Sequence, residues 1–169
     1  LLSVELCSLT LQRSDLSIPN LIASGLFGDG SAAVVAVGSE HPLHGSDAPT
    51  PSGPRVQSYQ SRFYPDTEQA MGWEIGGNGF KIVLSSEVPD LVSNHLLNDV
   101  NRFLLGQGLE LSQIQSWVCH SGGPKVLQAV QKSLSLNEEA LALSWRSLEE
   151  VGNLSSASVL FVLQDTIAE

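Results

Sequence analysis

The chain has 169 residues, 42% of them hydrophobic and 15% charged, with a mean hydropathy of +0.08. That composition suits one folded domain with a sizeable core and excludes a disordered tail. Eight basic residues against 18 acidic ones give a net charge of −10, with no basic stripe to grip a nucleic-acid backbone, so nucleic-acid binding is not expected. The longest nearly unbroken apolar run, residues 157–163, is far too short to span a bilayer, so membrane insertion is not expected either. No basic segment precedes an apolar leader at Leu1. Two cysteines, Cys7 and Cys119, make no disulfide framework and suit a reducing, cytoplasmic compartment.

The chain opens on what reads as the middle of a strand and closes in a helical pattern, without an initiator Met. A fragment of a longer protein is therefore expected. Residues 1–11 have strand character and end at the polar cluster Gln12-Arg13-Ser14-Asp15. Ser17 is placed to cap a helix over 18–27, with Pro19 in its first turn. Gly28-Asp29-Gly30 reads as a turn, and the small and β-branched residues 31–37 as a buried strand. Residues 39–54, rich in Pro, Gly, Ser and Asp, read as a surface loop.

Residues 55–64 alternate polar and bulky side chains, as an exposed strand would. Residues 73–75 and 80–84 flank Gly76-Gly77-Asn78-Gly79 and predict a hairpin. Pro89 starts an amphipathic helix with apolar positions Leu91, Val92, Leu96, Val100, Phe103 and Leu104, closed by Gly106. The run Ser116 to His120 then predicts a buried strand, followed by the turn Ser121-Gly122-Gly123 and a helix from Pro124 with Val126, Leu127, Val130 and Leu134 on one face. Asn137 caps a short helix through Glu138-Glu139-Ala140, and 144–150 is a polar segment. Residues 157–167 read as a buried helix, because small residues crowd its start; Val159, Phe161 and Val162 leave a strand as the alternative.

Several groups could carry chemistry. His120 sits at the carboxyl end of its expected strand, where α/β proteins bind ligands, although a packed or surface histidine is the commoner case. His41, His44 and His95 are weaker candidates. No histidine pair has helical metal-ligand spacing and no CxxC is present, so no metal site is expected. Asn153, after Gly152, is a non-titrating donor suited to a developing oxyanion, or simply a residue at home before a helix. Asp29 reads first as an acceptor of backbone N–H groups in its turn. Cys119 should face away from His120, and Cys7 has no evident base, so neither suits a nucleophile.

Three motifs occur in order: Phe27-Gly28-Asp29-Gly30-Ser31-Ala32-Ala33, Trp117-Val118-Cys119-His120-Ser121-Gly122-Gly123-Pro124, and Gly152-Asn153-Leu154-Ser155-Ser156 running on to Leu163. Together with Gly79-Phe80-Lys81-Ile82 and Val88-Pro89, they resemble the C-terminal half of type III polyketide synthases, the chalcone synthase-like branch of the thiolase superfamily. Ketoacyl synthase III enzymes also carry a histidine and a Gly-Asn, but His-Gln-Ala-Asn is their histidine motif. The resemblance implies an α/β, thiolase-like fold, with residues 1–169 as most of its second half: a mixed sheet packed with helices and a buried helix after Gly152-Asn153. The N-terminal half and the extreme C-terminus of the family lie outside the chain.

It implies further that His120 and Asn153 are catalytic and that Phe27 is the aromatic gate between a coenzyme A tunnel and a cavity. Gly122, Gly123, Ser155, Cys7 and Thr10 would line the substrate or coenzyme A path. The substrates would be acyl-CoA and malonyl-CoA, with no cofactor, in a homodimer. The family's nucleophilic cysteine matches no residue here, so the 169 residues alone are not expected to catalyse condensation. Ser121 stands where plant members usually have Pro, and Cys119 where a small residue such as Ala is common. The segments Met71-Gly72-Trp73-Glu74 and Gly79-Phe80-Lys81 look more like bacterial synthases using fatty acyl starters, which implies an alkylpyrone or alkylresorcinol product. A single-condensation ketoacyl synthase III-like enzyme and a non-catalytic thiolase-like assembly partner are the competing readings.

Overall fold

The structure, a computed structural model, describes residues 1–38, 40–41 and 53–169. Most of the expected 39–54 loop, with His44, lies outside the described residues. Strand β1 (Leu2–Glu5) pairs antiparallel with β2 (Gly30–Ala33), in the register Leu2↔Ala33 to Glu5↔Gly30. Both are shorter than expected. After Glu5 the chain leaves the ladder for a 3₁₀ turn, Cys7–Thr10. Hydrogen bonds hold the turn: the Asp29 carboxylate accepts the Ser8 backbone N–H at 2.7 Å and its hydroxyl at 2.6 Å, and Thr10 Oγ1 donates to the Cys7 carbonyl at 2.8 Å. Strand β2 stops at Ala33, and the expected buried continuation through Val35 is instead 90% exposed at that residue.

Helix α1 (Ile18–Leu26) starts after Ser17, which holds the N-cap backbone conformation without a side-chain cap bond; Phe27 follows the helix in extended conformation. Residues 55–64 are exposed as expected, but among the described residues they pair with no strand. Tyr64 anchors their end: its hydroxyl donates to Asp99 at 2.5 Å, and Arg62 pairs with the same carboxylate at 3.1 Å. Strands β3 (Met71–Gly76) and β4 (Gly79–Leu84) form the expected antiparallel hairpin, turning at Gly77-Asn78.

Helix α2 (Val88–Gly106) has Pro89 in its first turn. Its stop is Gly108 rather than Gly106. Gly108 takes φ +70, its N–H donates to the Leu105 carbonyl and that of Leu109 to the Leu104 carbonyl, the bond pair of a Schellman cap. Gly106 is the last helical residue, and the left-handed step comes two residues later.

The expected strand at 116–120 belongs to no sheet among the described residues, because no neighbouring strand offers it a ladder. Helix α3 (Pro124–Ser133) follows as expected. The polar segment 144–150 is helical, inside α4 (Ala142–Val151). Its buried side is made of serines, Ser144 and Ser147, so hydropathy hides the helix period. Asn137 caps the preceding 3₁₀ turn, Glu138–Leu141, by accepting the Ala140 N–H at 2.9 Å. Helix α5 (Ser158–Ala168), entered by the 3₁₀ turn Ser155–Ala157, settles the last segment as helix, with Ala157, Ser158 and Val162 fully buried.

The core lies between α2, α3 and α4. Val130, Leu134 and Leu141 form its centre, and Val92, Leu96, Val100, Trp117, Cys119 and Trp145 close around it. Burying these apolar surfaces holds the 117–123 segment and the N-terminus of α3 on a rigid base.

Candidate functional site

Three chain segments meet beside that base. Phe27 and Asn153 form a parallel bridge: the Asn153 N–H donates to the Leu26 carbonyl at 2.8 Å, and the Gly28 N–H donates to the Asn153 carbonyl at 3.0 Å. With the antiparallel β1–β2 pair, this makes the strand arrangement around residues 27–33 mixed. The third segment joins through a side chain, as Asn153 Nδ2 donates to the Gly122 carbonyl at 3.0 Å.

Glycines permit this approach where a side chain would not fit. A Cβ on Gly152 would lie 2.7 Å from the Leu26 carbonyl oxygen, and its φ of +75 is left-handed. A Cβ on Gly30 would lie 2.7 Å from Leu154 Cδ1. Gly122 faces the imidazole itself: a Cβ there would sit 3.2 Å from His120 Cδ2 and 3.4 Å from Nε2. The Gly122 peptide thus stands between the two polar groups, with the His120 ring over its α-carbon and the Asn153 amide on its carbonyl.

Asn153 is only 3% exposed and its amide is held at both ends. Its Oδ1 accepts the Ser155 N–H at 2.8 Å, while Nδ2 donates to Gly122. One amide N–H has no acceptor among the described residues. His120 is exposed at its edge, yet burial lowers its pKa from 6.5, so at neutral pH the ring is neutral and can donate from one nitrogen. Burial raises the Cys119 thiol, and burial followed by the Glu5 and Asp29 charges raises Cys7. A nucleophile needs the opposite shift. Among the described residues, no group of three His, Cys, Asp or Glu is placed to hold a metal ion.

A cavity of about 250 Å³ adjoins Phe27, and Cys7, Thr10, Phe27 and Ser155 all line it. His120, Gly122 and Gly123 are not among its lining residues. The expected path residues therefore fall into two groups, joined at Phe27, Asn153 and Ser155. Trp73 and Ile82 of the hairpin also line the cavity. They were not singled out from sequence as site residues, and the signal lay in register: Trp73 opposes Ile82 across β3–β4, so both face one side. His95 stacks on Tyr64 at 4.5 Å between centroids, away from this junction. Asp29 takes the structural role read first, as the acceptor that fixes the Cys7–Thr10 turn.

Residues 55–169 match the model of the C-terminal domain of chalcone and stilbene synthases. Over 98% of its length the chain is 53% identical to 1,3,6,8-tetrahydroxynaphthalene synthase of Streptomyces peucetius subsp. caesius, of which it covers 42%. It is 31% identical, again over 98%, to the alpha-pyrone synthesis polyketide synthase-like Pks18 of Mycobacterium tuberculosis, of which it covers 41%. The crystal structure of 1,3,6,8-tetrahydroxynaphthalene synthase from Streptomyces coelicolor A3(2), a bacterial type III polyketide synthase, superposes with a TM-score of 0.84 at 28% identity, over 99% of this chain and 45% of that one. The chain spans less than half the length of these relatives. With the ordered motifs, the junction they build and these likenesses in agreement, the chain belongs to the chalcone and stilbene synthase family, with residues 55–169 matching its C-terminal domain.

Proposed function

We propose that the protein containing this chain is an acyltransferase that decarboxylates malonyl-CoA and condenses the resulting enolate, several times in succession, with an enzyme-bound acyl group. In the first step the bond to CO₂ breaks and its electron pair moves into the thioester as an enolate. The charge develops on the thioester oxygen. In the second step the enolate carbon attacks the acyl thioester, and a thiolate leaves. The observation that carries this reading is that His120 and Asn153 both contact the Gly122 peptide, with Asn153 bridged to Phe27. In this reading a neutral His120 and the remaining Asn153 N–H would donate to that oxygen, the kind of interaction with the largest leverage on such a step. An apolar Phe27 beside them helps exclude water. The cysteine that carries the acyl group is assigned to no residue of this chain.

Several extensions, rather than one, fit the relative at 53% identity, whose named product is a ten-carbon ring system oxygenated at alternate positions. A compact aromatic product is therefore the main reading. A fatty acyl starter giving an alkylpyrone or alkylresorcinol is the second, favoured by the relative named for alpha-pyrone synthesis. A homodimer and a cytoplasmic location, where Cys7 and Cys119 would remain free thiols, complete the proposal.

The test is malonyl-CoA decarboxylation by the full-length protein. His120→Ala and Asn153→Ala should each lower it by roughly 10²-fold or more, the scale for losing an oxyanion donor. Wild-type rates in both variants would overturn the assigned roles. The mass of the product separates repeated extension from a single ketoacyl synthase III-like condensation, and no decarboxylation by the intact protein would point to an assembly partner.

A further inference from the structure

The chain 119–122, which carries His120, is tied to helix α4 and to the residues just after it. Two hydrogen bonds fix the alignment. Ser144 Oγ donates to the Cys119 carbonyl at 2.9 Å, and Asn153, just past the end of α4, donates to the Gly122 carbonyl at 3.0 Å. Ser121 lies between the two anchors on one segment and Ser147 between them on the other. Ser147 is about 4.5 Å along the helix from Ser144, at the α-helical rise of 1.5 Å per residue. Three residues on, it also shares Ser144's face.

Both hydroxyls are orphans. Ser121 is 0% exposed and Ser147 4% exposed, and neither Oγ has a hydrogen-bond partner in the protein. Buried polar groups are satisfied in folded proteins, by protein or by ordered water. Two such groups, on facing segments and between the same two anchors, point to one shared partner. Ser144, fully buried in the same layer, has used its hydrogen on Cys119 and keeps its oxygen free to accept. With Ser144 these make three hydroxyls along the stretch where 119–122 is tied to α4, and three is the number of bonds a buried water commonly makes. The adjoining segment needs such a fixture, since it lacks a strand ladder and turns tightly at Ser121, where the Gly122 N–H donates to the His120 carbonyl at 2.8 Å.

We propose that Ser121, Ser144 and Ser147 hold one buried water molecule between the His120 segment and α4, and that Ser121 and Ser147 are positioning residues for His120. The catalytic part of this rests on the decarboxylation reading above; the water site itself does not. The experiment uses the full-length protein with Ser121→Ala, Ser147→Ala and the double variant. Ser147→Ala is a safe substitution in a helix, which guards against a failure of Ser121→Ala to fold.

In a high-resolution crystal structure, a single water within hydrogen-bond distance of the Ser121 and Ser147 hydroxyls is expected, lost in each variant. The imidazole titration of His120, followed by NMR, should shift in each single variant, and the double variant should shift no further than the larger single one. Decarboxylation should fall roughly tenfold to a hundredfold in kcat with KM little changed, the scale of a small misplacement. A direct Ser121–Ser147 hydrogen bond, or an empty dry layer, overturns the water site. Lowered melting temperatures with an unmoved His120 titration overturn the positioning role. Should the titration move while His120→Ala leaves decarboxylation intact, the positioning stands and the catalytic reading falls.

Discussion

At the residue scale, the site depends as much on missing side chains as on those present. Gly152 carries the sharpest constraint, combining a left-handed φ of +75 with a carbonyl oxygen 2.7 Å from any added Cβ. Gly152→Ala should therefore destabilise the protein by about 1–3 kcal/mol, read as a lowered melting temperature, and displace Asn153 with it. Gly25, where an added Cβ meets nothing within 4 Å, is the control and should be neutral or slightly stabilising on going to Ala within α1. His120 gives a pH prediction. Its folded pKa lies below 6.5 because burial disfavours the imidazolium, so the folded state binds fewer protons than the unfolded one, and stability falls as pH drops through 6.5. Denaturant titrations between about pH 7 and 5 should show that slope, and His120→Gln should reduce it.

At the scale of elements, the β3–β4 hairpin brings Trp73 and Ile82 to the cavity and is tied to the rest by polar contacts. Lys81 pairs with Asp15 at 2.9 Å, and Gln12 Nε2 donates to the Phe80 carbonyl at 2.9 Å. The buried Asn20 amide in turn holds the Gln12 and Asp15 carbonyls. Asp15 is lowered to about 2, first by its hydrogen bond with Lys81 and then by those from Ser17. A depressed carboxylate contributes stability above its unfolded pKa of 3.8, and that contribution is lost as pH falls from there towards 2. Protection of the hairpin amides from hydrogen exchange, relative to their intrinsic rates at each pH, should fall across that window in the native protein. In Asp15→Asn the amides should already be less protected at pH 7, and their protection should show no such step. Pattern alone revealed the hairpin and α2, where alternation and helical period are strong. It missed α4, whose buried face is Ser144 and Ser147, and it overran β1, which Asp29 draws into a turn from 21 residues away.

At the scale of the whole molecule, the described surface carries many large apolar side chains, among them Leu1 at 81%, Leu9 at 77%, Tyr59 at 88% and Phe63 at 76% exposed. Scattered apolar residues are ordinary, but a dense set on one chain of this size is a self-association liability. The 169 residues produced alone should bind a hydrophobic dye and sediment as a mixture of species, whereas the full-length protein should do neither; equal behaviour of the two would show that these side chains need no cover. No helix among the described residues is long and apolar enough to cross a membrane.

The sequence by itself determined the family, through ordered local motifs, and most of the helices, because apolar period, proline and capping residues act within a few positions of one another. It also named His120, Asn153 and Phe27 without being able to say how they meet. Only the tertiary structure decided that. The Phe27–Asn153 bridge, the Asn153–Gly122 bond and the His120–Gly122 contact join segments up to 126 residues apart in sequence. Such contacts depend on the close approach of backbones that have no periodicity of their own. The same holds for Ser121 and Ser147, two unremarkable serines in the chain whose hydroxyls the fold buries without a partner in the protein.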